Sequence, residues 1–190
     1  MRKIRTVIGV ACGLAVASLA GGAASAAVVN FNSQSPGVQT SYVDSGFVFD
    51  SVRLVNGNCL SGACLALNNN ETTTITAQNG GPFTLTSFWF QLLGNGRVNT
   101  LTVTADGVAF LFAESAYPHN NGGQFVDLSG NPAFQNITSL VFSTFGGGNV
   151  RIDDLNLTPV PLPGALPLML SALAGGGLLT RRRKAKPVPA

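Results

Sequence analysis

Imidazole chemistry has a single candidate in this chain, because His119 is the sole histidine among 190 residues. It lies in the stretch AYPHNNGG, whose proline, asparagines and glycines are typical of an exposed turn. A nucleophile needs a base within hydrogen-bond reach, and no residue near His119 in the sequence marks such a pair. We therefore interpret His119 as a surface residue of a turn.

Carboxylates are the other groups that carry catalysis, and the chain has eight of them. A glycosidase needs two carboxylates that face one cleft about 5–10 Å apart. No local spacing marks such a pair, and the adjacent Asp153 and Asp154 would point to opposite faces of a strand. The sequence thus predicts that the chain is not an enzyme, with a hydrolase as the most distant alternative.

The segment RIDDLNL suggests another use for these two aspartates. If it is a strand, Asp153 shares a face with the two leucines that follow, and one carboxylate is nearly buried. A buried carboxylate needs a partner. One hypothesis is a structural Ca²⁺, which prefers oxygen ligands, held by Asp153, Asp154 and Asp44, or Asp50 in place of Asp44, with backbone carbonyls. The other hypothesis is that loop amides donate hydrogen bonds to the aspartate.

Cys59 and Cys64 flank the short sequence LSGA. A close, even pair in an exported domain predicts a disulfide that closes a tight loop. Half of a metal site and a redox pair are the alternatives. A four-ligand zinc site needs a second pair of ligands that the composition does not supply, and redox cysteines are more often spaced by two residues.

The elements that must position these groups are short strands with period-two alternation, separated by Gly, Asn and Pro. FTLTSFWFQLL has the pattern of a central strand, and Asp106-Gly107 fits the turn of a hairpin. Roughly eight to ten strands in one domain predict an all-β fold, a single antiparallel β-sandwich of the jelly-roll type. The other predicted strands are Tyr42–Phe49, Thr72–Thr76, Leu101–Thr104, Gln124–Leu128, Ser139–Phe145 and Val150–Leu157. The predicted core contains Phe31, Phe47, Phe49, Phe83, Phe88, Phe90, Phe110, Phe125 and Phe142.

Two short pieces, YVDSGFVF near the start and IDDL near the end, resemble the galactose-binding-like jelly rolls of carbohydrate-binding modules. The resemblance implies a structural calcium at the aspartates, as in several of those modules. A glycan site would also need an exposed aromatic ring. Trp89 lies inside the strongest strand and is assigned to the core, so Tyr117, beside Pro118 in a polar loop, is the predicted glycan contact.

The first 26 residues have the three parts of a secretory signal peptide. A basic start is followed by an apolar run and by small residues, which predicts cleavage between Ala26 and Ala27. The alternative, a permanent N-terminal membrane helix, is less favoured because the run is short and broken by glycine. Export across the inner membrane is expected.

Residues 159–190 combine the stretch VPLPG, an uncharged segment at about 166–179 and a basic tail at 181–186. The segment is short for a membrane span, and the positive-inside rule places the tail in the cytoplasm. This arrangement resembles the PEP-CTERM sorting signal in its VPLPA-type variant, on Val160, Pro161, Leu162, Pro163, Gly164, Arg181, Arg182 and Arg183. The resemblance implies transient membrane anchoring and processing by an exosortase. The alternative is a plain tail anchor.

Charge separates these ends from the predicted domain at 27–158, which has three arginines and no lysine against eight carboxylates. A domain with a net negative charge repels the phosphate backbone of nucleic acids, so nucleic acid is excluded as a partner. We predict a protein of the bacterial surface or extracellular matrix whose sandwich binds or organises polysaccharide, processed by signal peptidase and an exosortase. The alternative is a structural or adhesive protein that binds other proteins through its sheet edges.

Overall fold

Period-two alternation becomes antiparallel strands throughout the part of the chain that the computed structural model describes, residues 25–94, 100–118, 121–145 and 148–161. A 3₁₀ turn at Pro132–Phe134 interrupts the strands. No helix among these residues is long and apolar enough to cross a membrane. The strands are β1 Ala27–Val29, β2 Gly37–Asp44, β3 Phe47–Val55, β4 Cys64–Asn68, β5 Thr72–Ala77, β6 Phe83–Leu93, β7 Thr100–Ala105, β8 Val108–Ala113, β9 Gln124–Asp127, β10 Leu140–Phe145 and β11 Asn149–Pro159.

The strand order is that of a jelly roll. One layer has the order β4-β11-β6-β9 and the other β5-β10-β7-β8. The chain crosses between the layers after most strands, as the two Greek keys of this fold require. The layers face each other through aromatic side chains, with Phe88 of β6 at 5.4 Å from Phe142 of β10 between ring centroids. The prediction of an all-β antiparallel sandwich is confirmed.

Strand β3 joins the two layers into one curled sheet. Its first half pairs with β5 through Phe47–Asp50, and its second half pairs with β4 through Leu54 and Val55. Between the halves, Ser51 has a positive φ of 60°, and both Asp50 and Ser51 are exposed. A bulge of this kind resets the side-chain alternation and bends the strand, so β3 can leave one layer and enter the other.

Phenylalanine fills most of the core, as predicted. Seven of the nine predicted rings, those of Phe31, Phe47, Phe49, Phe83, Phe88, Phe90 and Phe142, are almost completely buried. Phe110 is only partly buried. It packs against Phe134, a core residue that is absent from the predicted set. The assignment of Phe125 to the core is wrong: it is 61% exposed, because its partner on β6 is the outward-pointing Trp89 rather than a core residue.

Two of the predictions concern segments that contain a tight turn in the structure. The predicted hairpin is confirmed, with Asp106 and Gly107 both at positive φ between β7 and β8. The predicted strand Tyr42–Phe49 is wrong, because Ser45 and Gly46 also have positive φ and form a two-residue turn between β2 and β3. Such a turn requires left-handed backbone at both central residues, and a Ser-Gly pair signals it less strongly than Asn-Gly does.

A bulge in β11 corrects the expected facing of RIDDLNL. Asp154 has a φ of 45°, and the pairing with β6 shifts after Asp153. The bulge returns Leu155 to the core side, on which Ile152 also lies. Asp153 therefore does not share a face with the leucines, as strict alternation predicted, but points to the outer face of its layer.

Several predicted features lie outside the described residues. These are His119, residues 1–24 of the predicted signal peptide, and the predicted sorting and membrane residues from Leu162 onward, which include Pro163, Gly164 and Arg181, Arg182 and Arg183. Ala26 is exposed, and Ala27 begins β1 opposite Leu157.

Candidate functional site

The outer face of the β4-β11-β6 layer carries a row of polar side chains. Arg151 on β11 pairs with Ala66 on β4 and with Gln91 on β6. Arg53 continues the row on β3, next to Leu54, which pairs with β4. We call Arg53, Arg151 and Gln91 the arginine row. It contains both arginines of the described residues within the predicted domain.

An open cleft of about 350 Å³ lies beside this row, where β3 separates from β5. The bulge at Ser51 causes the separation, and the hydroxyl of the buried Thr73 holds the bulge by donating to the Ser51 carbonyl at 2.9 Å. The walls therefore offer amides, hydroxyls, an ion pair and two valines. The lining residues are Val38, Gln39, Thr40, Ser51, Val52, Arg53, Asn70, Glu71 and Thr72.

Arg53 and Glu71 form the ion pair of this cleft. The Arg53 Nε donates to both Glu71 carboxylate oxygens, at 3.0 and 3.1 Å, and its Nη2 also contacts Oε1. Glu71 further accepts the backbone N–H of Asn68 at 2.9 Å. The Arg53 guanidinium lowers the pKa of Glu71, and Glu71 raises the pKa of Arg53. The carboxylate is therefore firmly ionised and fixed in place.

Arg151 is held differently, by neutral acceptors. Its Nε donates to the Gly57 carbonyl at 3.3 Å, and its Nη1 donates to Asn68 Oδ1 at 3.3 Å and to its own neighbour's carbonyl, that of Val150, at 3.0 Å. Partial burial lowers the pKa of Arg151, while the charge of Glu71 opposes that change. Among the described residues no carboxylate forms a salt bridge with Arg151. The guanidinium is thus positioned and partly desolvated without a bound counter-charge.

Two amides beside Arg151 have unmet hydrogen-bonding capacity. Gln91 is only 8% exposed, and no hydrogen bond joins its side-chain amide to another described residue, although the amide atoms are not fully buried. The buried Oδ1 of Asn149, at the start of β11, also has no partner there. Buried polar groups are normally satisfied, so unpaired amides next to a positioned cation indicate a place where a polar ligand can bind.

Asp153 lies two residues beyond Arg151 on β11, beneath the loop closed by the disulfide. It is completely buried, and it accepts the backbone N–H of Asp154 at 2.9 Å and that of Ser61 at 3.4 Å. Burial raises the pKa of Asp153 to about 6, although these amide hydrogen bonds act in the opposite direction. This is the arrangement of the second hypothesis for the aspartates, in which loop amides provide the partners.

The three carboxylates proposed for calcium are not gathered into one cluster. Within the described residues, no group of three or more His, Cys, Asp or Glu side chains could hold a metal ion. Asp44 is engaged locally, since it accepts the hydroxyl of Tyr42 at 2.7 Å and that of Ser45 at 2.8 Å. Asp153 is occupied by backbone amides, as described above. The geometry of these residues gives the calcium hypothesis no support.

The predicted disulfide between Cys59 and Cys64 is confirmed. Ser61 in the loop that it closes contacts Asp153 on the outer face of the layer. Gly57, which accepts a hydrogen bond from Arg151, lies two residues before this loop. The bridge therefore stabilises the segment that covers Asp153. Val160 and Pro161 are the residues of the predicted sorting motif that the structure describes. Val160 donates its N–H to the Pro82 carbonyl at 2.9 Å, and Pro161 is exposed.

The aromatic candidates for sugar contact are distributed over the molecule. Trp89 is buried at 2% exposure, as its assignment to the core implied, but it lies on the outer face, under Gly123. Tyr117 is partly buried and packs against Phe90 and Phe112, with ring centroids 5.3 and 5.6 Å away. The side chain of Tyr117 thus contributes to the core, and it does not line the cleft.

Neither the cleft nor the arginine row is apparent in the sequence. Arg53 and Glu71 are 18 residues apart, and Arg151 is far from both in sequence, so only strand pairing brings them together. The available signal was compositional, because arginine is rare in a domain that has an excess of carboxylates. Such scarcity does not identify the partner strands.

No protein-family model matches the sequence, and no curated protein matches it. Among solved structures, the chain is similar to CBM61 in complex with β-1,4-galactotriose, with 14% identity, 61% of this chain and 90% of that chain covered, and a TM-score of 0.34. It is also similar to a tyrosine-to-alanine mutant of the family 29 carbohydrate-binding module CBM29-2, with 14% identity, coverage of 72% and 92%, and a TM-score of 0.38. It is similar as well to a lysine-to-alanine mutant of the same module, with 12% identity, 70% of this chain and 91% of that chain covered, and a TM-score of 0.33. At these identities and TM-scores the likeness assigns no ligand to this chain.

Proposed function

We propose that this chain is a non-catalytic, polysaccharide-binding protein of a bacterial surface or extracellular matrix, and that the cleft between β3 and β5 holds the sugar chain. The observation that supports this most is the chemistry of the cleft. Amides, hydroxyls and a fixed ion pair can exchange hydrogen bonds with sugar hydroxyls, while the exposed Val38 can contact the apolar face of a sugar ring. The open form of the cleft suits an extended polymer.

The charges of the cleft support binding rather than glycoside hydrolysis. Glu71 is the one carboxylate among the nine residues that line it. Its pKa is lowered by Arg53, whereas a general acid needs a raised pKa. Asp153 has a raised pKa, but its carboxyl is completely buried beneath the disulfide loop.

The test is a binding assay of the purified chain on immobilised polysaccharides, both neutral and acidic, read by affinity electrophoresis. The double variant Gln39→Ala and Thr72→Ala removes one amide and one hydroxyl from the cleft. We expect its affinity to fall on the order of thirty-fold, because two hydrogen bonds are lost and each contributes about 1 kcal/mol. The matched control is Gln78→Ala, in a separate depression that also contains Gly46 and Asn79.

Two outcomes contradict the proposal. If no polysaccharide retards the folded chain, the function is wrong. If Gln78→Ala weakens binding while the cleft variant does not, the cleft is the wrong site. Replacing Tyr117 by Leu keeps its core contacts largely apolar and tests the aromatic contact that the sequence predicted.

Export and sorting form the second half of the proposal and are supported by sequence alone. The N-terminal segment has the form of a signal peptide, and residues 160–183 have the form of a sorting signal. Mass spectrometry of the mature C-terminus, in cells with and without an exosortase, tests this half. An intact Arg181–Ala190 tail in both strains would contradict it.

A second function, protein–protein adhesion, is favoured by the edge strand β8. This strand ends its layer, and its sequence VAFLFA carries no charge. Val108 and Leu111 are 56% and 70% exposed. Edges of this kind can add a strand from another chain. If adhesion is the function, Leu111→Lys will abolish self-association in sedimentation experiments and leave polysaccharide binding unchanged.

A further inference from the structure

We propose that the arginine row binds an anionic unit of the polysaccharide, a sugar carboxylate of the uronic acid type, with Arg151 as the principal contact. This inference rests on the proposed polysaccharide function and specifies its ligand class. It follows from three features of the described residues, which are the position of the arginines, the unused donors of Arg151 and the unpaired amide of Gln91.

The arginine row carries a local positive charge on a domain whose net charge is negative. The predicted domain has five more carboxylates than arginines. Arg53 and Arg151 nevertheless lie on the same outer face, with one β4 residue between them, and Glu71 is the carboxylate that acts on both. These three groups sum to a net positive charge. A local cation on an acidic domain favours an anionic ligand over a neutral one at this place.

The geometry of Arg151 leaves donors free for such a ligand. A guanidinium has five N–H donors in a planar fork. The three contacts of Arg151 use Nε and Nη1, and its Nη2 has no hydrogen bond within the described chain. The hydrogen bonds to Gly57 and Asn68 fix the orientation of the guanidinium plane. A positioned, partly desolvated guanidinium binds a carboxylate at low entropic cost.

Gln91 provides an independent indication of a ligand at the same place. It is the direct partner of Arg151 on β6 and is only 8% exposed, and its amide, which is not fully buried, has no hydrogen bond to another described residue. A sugar carboxylate on Arg151 would have its ring hydroxyls within the region of this amide. Both the cation and the amide would then gain the hydrogen bonds that the protein alone does not supply.

The experiment compares two forms of one polymer, polygalacturonate and its fully methyl-esterified form. The sugar backbone is the same, and each charged carboxylate is replaced by a neutral methyl ester. We expect the wild-type chain to bind the free acid on the order of ten-fold more tightly, and we expect this preference to weaken between about 0.05 M and about 0.5 M salt. Sulfated and phosphorylated polymers serve as further arms that separate a carboxylate site from a general anion site.

The variants are Arg151→Gln and Arg151→Lys. We expect Arg151→Gln to abolish the preference, so that the variant binds the free acid and the ester with equal affinity. Arg151→Lys keeps the charge but loses the fork, so we expect it to restore only part of the preference. If Arg151→Gln does not fold, the Lys variant alone decides, because full preference in Arg151→Lys contradicts fork recognition.

Failure of the inference differs from failure of the proposed function. Equal affinity for acid and ester, with both lost in the cleft variant, overturns the anionic site and leaves polysaccharide binding standing. Tighter binding of sulfated polymer than of polygalacturonate overturns the carboxylate assignment. Lack of binding to every polymer overturns both.

Discussion

Asp153 and Trp89 lie directly opposite each other on β11 and β6, and both are buried although they point to the outer face of their layer. Separate loops cover them. The disulfide loop contacts the aspartate through Ser61, and the segment at Gly123 lies against the indole ring. These loops therefore create a small buried region on the outer face of the layer.

The stability of the domain should depend on pH through Asp153. Its pKa of about 6 in the folded chain exceeds the ordinary 3.8. The folded state therefore retains a proton that the unfolded state has lost, and this difference corresponds to up to roughly 3 kcal/mol. The contribution is fully present below about pH 4 and is lost as the pH rises through about 6. Urea titrations across this range measure it.

Asp153→Asn should remove this loss, since the amide does not ionise. Asp50→Asn, at an exposed carboxylate, is the matched control and should keep the wild-type profile. A profile of Asp153→Asn that still declines between pH 4 and 6 would show that another group is responsible.

Gly123→Ala should destabilise the domain more than Gly122→Ala. Both glycines have a φ near +75°, so both variants suffer similar backbone strain. A Cβ on Gly123 would lie 2.1 Å from the Trp89 ring and 2.9 Å from the Phe90 carbonyl, whereas one on Gly122 meets nothing within 4 Å. We expect an additional loss of about 1–3 kcal/mol for Gly123→Ala, measured by thermal unfolding. Equal losses would mean that the ring moves away freely.

Ser51→Gly should stabilise the domain by up to about 1 kcal/mol, because glycine adopts positive φ without steric cost. Ser51→Val, which is β-branched, should destabilise it by a larger amount. The side chain is exposed, so packing changes little in either variant. Chemical denaturation distinguishes them. If the two variants are equally stable, the bulge does not depend on the conformation of this residue.

Loss of the disulfide should cost about 2 kcal/mol, as expected for a loop of this length. The double variant Cys59→Ser and Cys64→Ser avoids a free thiol. Its unfolding midpoint in urea should match that of reduced wild-type protein. Reductant should not affect the variant, and a further decrease in its presence would point to some other effect of the reagent.

Much of the fold was predictable from the sequence, because apolar and polar side chains alternate along most of the strands that form the core. FTLTSFWFQLL became β6 with the predicted ends, and Asp106-Gly107 formed the predicted turn. The errors arose where the backbone departs from alternation. Ser45, Ser51 and Asp154 all have positive φ, and each lies in a segment whose alternation predicts continuous extended backbone.

The candidate site was less predictable for a related reason. The bulge at Ser51 opens the cleft, and pairing of β4 with both β3 and β11 brings Arg53 near Arg151. Neither the bulge nor the pairing leaves a local pattern in the sequence. Asp153 was identified from the sequence as a buried carboxylate, although strict alternation assigned it to the wrong face.

The strand β11 has a mechanical consequence. It begins at Asn149 beside the arginine row and ends at Pro159, and it is hydrogen-bonded to β6 on one side and to β4 and then β1 on the other. Tension between Arg151 and Pro159 runs along this one extended strand, so its covalent backbone carries the load and the strand is not pulled away from its neighbours. Tension between Ala27 and Pro159 acts at one end of the β1–β11 pair and opens it one bond at a time. The same domain is thus strong along one direction of pull and weak along another.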